Sequence, residues 1–173
     1  MEEYILFFTA SVHNWNLLLE NEKYKKIILE SLKFLTENER IFLYGFVIMP
    51  NHIHLVWKIK EGHKLQNVQR DFLKYTAQII KYDLRETNPS FLERFRKSGK
   101  DRHYQFWQRN SFNKRIFNRT VLEQKLNYIH NNPLQDKWKL VEKPEDYEYS
   151  SARYYMRNED QWGILTHYYE HIF

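Results

Sequence analysis

Two histidines one residue apart, His52 and His54, lie in the stretch MPNHIHLVW at residues 49–57. Imidazole nitrogens bind divalent cations, and a pair of them leaves coordination positions open, as a catalytic metal requires. Because alternate side chains of a β-strand point to the same face, a strand would place the two rings side by side. The same spacing also fits two ordinary strand residues, one bonded to a backbone carbonyl and the other in contact with water. A metal site and a structural pair therefore both stay open at this point.

A second group of reactive residues lies in the stretch LNYIHNNP at residues 126–133. Tyr128 and Asn132 are four residues apart, so a helix would place them on one face, about one turn apart. A phenol and an amide oxygen directed at one point suit a metal-bound phosphate, which Asn132 would help to hold and Tyr128 would attack. A tyrosine with its ordinary pKa of about 10 needs a nearby cation or base to react as a phenolate at neutral pH.

Such a site would cleave nucleic acid by in-line displacement at phosphorus. A 3′-hydroxyl would leave, and a 5′-phosphotyrosine would remain for transfer to another 3′-hydroxyl without ATP. The alternative is structural, because most of the 13 tyrosines must be packing residues and Asn132 with Pro133 is also a helix-ending signal. Gln124 and His130, which flank Tyr128, would either assist proton transfer or face solvent.

The elements that would position these residues follow from hydrophobic periodicity and turn signals. Strands are predicted over residues 4–12, 41–49, 52–59 and 112–117, and helices over 21–38, 65–86 and 120–133. Pro50 and Asn51 form a turn between the second and third strands. The order strand, helix, strand, strand, helix, strand, helix predicts an α+β fold in which helices cover one face of an antiparallel sheet. The other face is expected to be free for a site.

Individual residues of these elements carry further expectations. Thr120 with Glu123 matches the T-x-x-E capping box and is expected to begin the third long helix. Ser150 is expected to cap a short tyrosine-rich helix, and Trp57 is expected to belong to the core. Three lysines of the second helix region would contact phosphates or, as is common, face solvent. These are Lys64, Lys74 and Lys81.

The composition limits the classes of protein and of site. With 173 residues, 42% of them hydrophobic, the chain is expected to form one domain over residues 1–173. Because cysteine is absent, thiolate nucleophiles, disulfides and iron–sulfur clusters are excluded, and a metal would bind nitrogen and oxygen. The start MEEYILFF is unlike a signal peptide, and no stretch approaches the roughly 20 apolar residues of a membrane span. A cytoplasmic protein without membrane association is expected.

Positive charge is concentrated in residues 94–119. This window holds nine Lys and Arg against one acidic residue, Asp101, and aromatic residues are interspersed among them. Cations alternating with rings suit a nucleic-acid backbone with stacked bases, although a solvated, mobile loop has the same composition. The residues predicted to bind DNA are Arg94, Arg96, Lys97, Lys100, Arg102, Trp107, Arg109, Lys114, Arg115 and Arg119.

The stretch PNHIHLVW, followed some seventy residues later by Y-I-x-x-N-P, resembles the REP-associated tyrosine transposases. These are single-tyrosine transposases of the HUH nuclease superfamily, named for a histidine, a hydrophobic residue and a second histidine. Trp107 with Gln108, and the stretch PEDYEYSSARYY at residues 144–155, are similar to the family as well. The likeness extends over nearly the whole chain.

The resemblance implies a ferredoxin-like antiparallel sheet, a divalent metal held by His52, His54 and Asn132, and Tyr128 as the nucleophile that cleaves DNA. Mg²⁺ or Mn²⁺ is the implied cofactor. Single-stranded DNA, often beside short palindromes that fold into hairpins, is the implied substrate and partner. Relatives act as monomers or homodimers, and both arrangements stay open for this chain.

Two further functions also stay open. Better-known members carry a glycine–threonine–tryptophan element ahead of the first strand, whereas residues 1–4 here read MEEY. A non-catalytic module that binds DNA or RNA through the same fold and basic window is therefore the alternative function. A rolling-circle initiator or conjugative relaxase shares the chemistry, but the larger size and additional histidines or tyrosines of those groups are missing here.

Overall fold

The computed structural model describes residues 4–98 and 103–171 of the chain. Four strands form one sheet: β1 (Ile5–Ser11), β2 (Ile41–Met49), β3 (His52–Ile59) and β4 (Phe112–Ile116). The helices are α1 (Glu22–Glu37), α2 (Leu65–Thr87), α3 (Pro89–Leu92), α4 (Arg119–Asn131) and α5 (Ala152–Arg157). A short 3-10 turn, Asn132–Leu134, directly follows α4. Each predicted strand and long helix is present, and its ends differ from the prediction by only one or two residues.

The sheet is antiparallel, with the strand order β2-β3-β1-β4. Together with α1 and α2 this is the β-α-β-β-α-β topology of a ferredoxin-like fold, so the predicted α+β class is confirmed. β3 carries the two histidines and pairs with both β1 and β2. His54 lies opposite Thr9 of β1 and Val47 of β2. The histidines therefore lie on an inner strand and not at an edge of the sheet.

One face of the sheet is covered by α1 and α2. Apolar residues recur at helical spacing along both helices, and burial of these stripes drives their packing on the sheet. Trp57 of β3 is fully buried and packs edge-to-face on Phe72 of α2, with ring centroids 6.2 Å apart. Trp57 is thus a core residue, as predicted. Near β4, the Gln69 side-chain amide of α2 donates a hydrogen bond to Asn113 at 2.6 Å.

The opposite face carries the histidines and is partly covered by α4 and the segment after it. This differs from the predicted helix-free face, because Leu122, Leu126 and Ile129 give α4 an apolar stripe that is buried on the sheet. Gly45 of β2 makes the close approach possible. A Cβ at this position would lie 2.4 Å from Leu126 and 3.3 Å from Ile129. α4 therefore packs against the backbone of β2, and its C-terminal half reaches the histidines of β3.

The start of α4 differs from the predicted capping box. Asn118, and not Thr120, is the N-cap residue, and its side-chain oxygen accepts a hydrogen bond from the Val121 amide at 2.9 Å. Asparagine caps helices at least as well as threonine, so the helix begins one residue after Asn118. Glu123 forms an ion pair with Arg119, with a nitrogen–oxygen distance of 2.7 Å.

The segment after α4 is tied to the outer edge of β2. The Ile48 amide donates to the Tyr149 carbonyl at 2.9 Å. Ser150 Oγ accepts from the Ala152 amide at 3.0 Å, so Ser150 supplies a capping bond as predicted, although Ser151 occupies the N-cap position of α5. Within residues 4–98 and 103–171, no helix is long and apolar enough to cross a membrane.

Candidate active site

His52 and His54 are buried on the sheet face next to α4, with exposed fractions of 8% and 5%. Their ring centroids are 4.9 Å apart, and the rings are inclined at 71°. His54 also stacks on Phe7 of β1 at a centroid distance of 5.2 Å. The alternative of one ring bonded to a carbonyl and the other in water does not hold, because both rings are buried and bond to side chains.

Each imidazole is held through Nδ1 by a neighbouring side chain. His52 Nδ1 donates to Asn51 Oδ1 at 2.8 Å, and His54 Nδ1 lies 2.7 Å from the Thr9 hydroxyl oxygen. An acceptor on Nδ1, as Asn51 Oδ1 is for His52, orients the ring and favours the tautomer in which Nε2 carries a lone pair, and the Thr9 hydroxyl can accept from His54 Nδ1 in the same way. The arrangement therefore presents the Nε2 atoms as ligands.

Asn132 follows the last residue of α4 and directs its side chain toward His52. It is buried, with an exposed fraction of 2%. Its Oδ1, as the amide is assigned, lies 3.2 Å from His52 Nε2. A neutral His52 ring has one proton, and both of its neighbours are acceptor oxygens. The shorter contact, 2.8 Å to Asn51 Oδ1, favours the proton on Nδ1, and two acceptor atoms then face each other at Asn132.

Burial keeps both histidine rings uncharged at neutral pH. It lowers the pKa of His52 to about 4, although the contact with Asn132 opposes the shift. Burial, with a smaller contribution from the charges of His52 and Lys125, lowers the pKa of His54 to about 3. No proton is then available between His52 Nε2 and Asn132 Oδ1. Two buried lone pairs in contact are unfavourable unless a cation or a donor satisfies them.

The donor set fits a small divalent cation. Neighbouring ligands of an octahedral ion with bonds of about 2.1 Å are about 3 Å apart. The distance between His52 Nε2 and Asn132 Oδ1 is 3.2 Å. Among the residues that the structure describes, no group of three or more His, Cys, Asp or Glu could bind a metal. A metal here would therefore be held by two imidazoles and an amide oxygen, the residues His52, His54 and Asn132.

Tyr128 lies on the same sheet face, one turn before Asn132 on α4. Its ring makes edge contacts with His54 and Phe7, at centroid distances of 5.5 and 6.2 Å. The side chain is 47% exposed, so the phenol is accessible to a substrate while the ring packs against the buried imidazole. The structure thus brings together the four residues that the sequence singled out: two from β3, one from the last turn of α4 and one from the 3-10 turn that follows it.

Lys125 places a positive charge beside Tyr128. It lies three residues earlier on α4, and its Nζ is 4.7 Å from the Phe7 ring centroid and 5.8 Å from the Tyr128 ring centroid. Sequence reasoning missed Lys125, although its spacing from Tyr128 was a readable signal. Thr9 was also missed, and no local signal could have found it. Its place beside His54 depends on how β1 pairs with β3.

His130 is a buried residue, so the expectation that it faces solvent was wrong. Its exposed fraction is 4%, and its Nε2 lies 2.7 Å from Ser151 Oγ. The Ser151 hydroxyl also accepts from the Phe46 amide at 2.9 Å. His130 therefore links α4 to the C-terminal segment and β2. Gln124 is exposed on α4.

The burial of His130 predicts that acid weakens the fold. Burial lowers the pKa of His130 to about 4, from an ordinary value of about 6.5. As the pH falls below about 6.5, the unfolded chain binds the proton first, so stability present at pH 7 is lost toward pH 4. His130 should account for about 2 kcal/mol of lost unfolding free energy between pH 7 and pH 5, as measured by urea denaturation.

Two variants isolate this effect. His130→Gln should lose less stability than the wild type on the same acidification, even if it is less stable at pH 7. His63→Gln removes an exposed histidine from the connection between β3 and α2, and it should keep the wild-type acid response. An equal response to pH in all three proteins would contradict the role given to His130.

The basic window of residues 94–119 is partly core and partly surface. Phe95, Phe106 and Trp107 are buried, so these parts of the window are not a solvated loop. The Trp107 indole donates to the Thr76 hydroxyl of α2 at 3.2 Å. Trp107 is therefore a core residue and is removed from the predicted DNA contacts, because neither its ring faces nor its N–H is available to a base.

Lys114 is a predicted DNA contact of β4 that lies on the face of the histidines. It is exposed on β4 and lies opposite Phe7 in the pairing of β1 with β4. Phe112, two residues earlier, lies opposite Thr9 and is 55% exposed. β4 thus adds a cation and an accessible ring to the edge of the candidate site.

The other predicted DNA contacts lie in different surroundings. Arg96 and Arg119 are exposed and form ion pairs with nearby glutamates. The guanidinium groups of Arg94 and Arg115 lie over aromatic rings, at 5.3 and 4.3 Å from the ring centroids. Arg109 is exposed and Lys97 is half-buried. Lys100 and Arg102 lie outside the described residues.

Comparison with known proteins finds similarity at the level of the fold. No protein-family model matches the chain, and no curated protein sequence matches it. A solved structure of a REP-associated tyrosine transposase bound to a REP hairpin is 19% identical, covers 91% of this chain and 82% of its own, and has a TM-score of 0.67. A candidate transposase of Deinococcus radiodurans is 14% identical, with 76% of this chain and 92% of its own covered and a TM-score of 0.49. The chain shares the fold of the first of these proteins.

Proposed function

We propose that this chain is a metal-dependent endonuclease and strand transferase for single-stranded DNA, a tyrosine transposase that acts at hairpin-bearing repeats. The observation that carries the proposal is the meeting of Tyr128 with His52, His54 and Asn132 on one sheet face. β3 and α4 are far apart along the chain, so the convergence is a product of the fold. The fold shared with a REP-associated tyrosine transposase bound to a REP hairpin supports a transposase-like function and a DNA partner.

His52, His54 and Asn132 would hold Mg²⁺ or Mn²⁺ through Nε2 and Oδ1 atoms. The bound ion would polarise the scissile phosphate and offset the negative charge that develops on its oxygens. All three ligands are neutral, so the protein would not cancel the charge of the ion. An anionic phosphodiester is therefore a complementary substrate. Asn51 and Thr9 would keep the two rings oriented.

Tyr128 is the nucleophile of the proposed reaction. Its phenol oxygen bonds to phosphorus while the bond from phosphorus to the 3′ oxygen breaks, which leaves a 5′-phosphotyrosine. The phenol proton passes to solvent, which reaches the half-exposed side chain, and the released 3′ oxygen takes up a proton as a hydroxyl. The phosphotyrosine ester retains the energy of the broken bond, so a second 3′-hydroxyl can displace Tyr128 and join the strands.

Lys125 would bind a non-bridging oxygen of the same phosphate. Its ammonium group lies 5.8 Å from the Tyr128 ring centroid, and a fixed positive charge there stabilises the charge that builds up during displacement. Lys114 and the exposed ring of Phe112 lie farther out on the same face. They would contact the adjoining backbone and an unpaired base.

Lys125→Gln should slow formation of the covalent product by about 100-fold, because one charged contact to the reacting phosphate is lost. The measurement is the single-turnover rate with saturating DNA, which separates chemistry from binding. Lys125→Arg keeps a cation and should recover much of the rate. Lys139→Gln, an exposed lysine after α4, is the control and should react like the wild type. A wild-type rate for Lys125→Gln would remove the residue from the mechanism.

The proposed function is tested by the covalent product itself. DNA carrying a hairpin with single-stranded flanks is labelled at its 3′ end, because the fragment that keeps the 5′ phosphate is the one joined to Tyr128. With Mn²⁺, the label should migrate with the protein on a denaturing gel, and EDTA should prevent this. If the DNA binds equally with and without EDTA and no single strand is cleaved, the non-catalytic binding module is the function instead.

A further inference from the structure

A groove of about 280 Å³ lies between α2 and residues 103–106. α2 covers the sheet face opposite the histidines, so the groove is separate from the candidate active site. One wall is formed by Lys74, Lys81 and Arg85, which recur at helical spacing and make a stripe along α2. His103 and Tyr104 lie across from them. No carboxylate from the described ranges lines the groove.

Lys74, Lys81 and Arg85 have no ion-pair partner within residues 4–98 and 103–171, whereas Arg70, the remaining cation of α2, is paired with Asp71. On the same layer of helices Arg40, by contrast, is paired with Asp71 of α2 at 3.1 Å. Lys81 and Arg85 instead lie 5.3 and 5.7 Å from the ring centroid of Tyr82. The fold therefore leaves their charge uncompensated inside a concave surface, where it attracts a polyanion most strongly.

The groove is linked to the active-site end of the sheet by the segment Tyr104–Gln108. The Gln108 amide donates to the Ser11 carbonyl at 2.7 Å, and Ser11 lies opposite His52 in the pairing of β1 with β3. The four residue steps of this segment span at most about 14 Å. That length equals about four nucleotide steps of a duplex strand. A polymer that fills the groove can therefore continue toward His52.

We infer that this groove binds the phosphodiester backbone of DNA, in the same substrate that the histidine face cleaves. The stripe from Lys74 to Arg85 is about 16 Å long, enough to contact several phosphates of one strand. Phe106 is buried and Tyr104 is half-buried, so little ring surface is left for base stacking. The groove would thus supply affinity and position without reading sequence. The inference rests on the proposed function for the identity of the polyanion.

The test removes the three charges together. The variant Lys74→Gln, Lys81→Gln, Arg85→Gln keeps most of each aliphatic stem and should melt like the wild type. Fluorescence anisotropy in EDTA measures binding of two probes, oligothymidylate as a single strand and a DNA hairpin as a duplex stem. Affinity should decrease about tenfold or more. The salt dependence should become weaker: the magnitude of the slope of log affinity against log salt should decrease by about 2 on a single strand or nearly 3 on a duplex. The probe with the larger change identifies the part of the DNA that lies in the groove.

A matched control removes equal charge from other surfaces. The variant Lys26→Gln, Lys33→Gln, Lys143→Gln changes three exposed lysines and should leave the salt slope unchanged. Equal slopes for the groove variant and the wild type on both probes would overturn the inference. Adduct formation by the wild type is scored separately on the hairpin. If the wild type forms the adduct but the groove variant keeps the wild-type salt slope, only the groove is ruled out as a DNA site. If the slope of the groove variant is reduced but the wild type forms no adduct, the groove remains a DNA site and the proposed reaction is ruled out.

Discussion

Tyr128→Phe should abolish the covalent protein–DNA product and leave the fold and DNA binding intact. The substitution removes one oxygen from a side chain that is 47% exposed, and the ring contacts with His54 and Phe7 remain possible. Loss of the nucleophile from an otherwise complete site costs on the order of 1,000-fold or more in rate. The measurement is the fraction of 3′-labelled hairpin DNA that migrates with the protein in the presence of Mn²⁺.

Tyr75→Phe is the matched control for this experiment. Tyr75 is also an exposed tyrosine, 55% accessible, but it lies on α2, away from the face of the histidines. It should form the covalent product at the wild-type rate. Equal melting temperatures of the three proteins exclude an effect through folding. A wild-type yield of product from Tyr128→Phe would contradict the assignment of the nucleophile.

Asn132→Leu should weaken Mn²⁺ binding by at least about 100-fold and stop cleavage with it. Loss of an outer hydrogen-bond partner of a metal ligand already costs roughly 10- to 100-fold in metal affinity, so loss of a ligand atom should cost at least that much. The expected cause is the missing Oδ1, which lies 3.2 Å from His52 Nε2. Electron paramagnetic resonance of free Mn²⁺ during a titration measures the affinity directly.

Asn132→Asp separates ligation from the role of Asn132 at the end of α4. It keeps an oxygen at the same place and adds a negative charge, so Mn²⁺ should bind at least as tightly as in the wild type. Asn131→Leu changes the exposed neighbouring residue and should leave metal binding unchanged. Equal Mn²⁺ affinity in the Asn132→Leu variant and the wild type would remove Asn132 from the proposed ligands.

Much of the fold and the candidate site could be predicted because the relevant signals are local. The alternation of a strand places His52 and His54 on one face, and the period of a helix does the same for Tyr128 and Asn132. Strand and helix bounds follow from apolar runs and from turns such as Pro50-Asn51. These rules say which side chains point in one direction, but not which elements meet.

The features that could not be predicted depend on contacts between distant elements. Thr9 reaches His54 only because β1 pairs with β3 in one register. His130 is buried because the C-terminal segment folds back onto β2 and supplies Ser151. Trp107, which composition placed with the DNA-binding residues, is instead bonded to Thr76 of α2. In each case the role of the residue depends on tertiary packing, which no local pattern in the sequence specifies.

Gly45 links the packing of the core to the position of the proposed nucleophile, because the absence of a side chain lets α4 lie close to β2. A methyl group there would be 2.4 Å from the end of the Leu126 side chain, so either this side chain or α4 as a whole would have to shift. A shift of α4 would carry the phenol of Tyr128 away from the imidazoles, because Leu126 and Tyr128 lie on the same helix. The position of the Tyr128 phenol thus depends on Gly45, a residue that no substrate contacts.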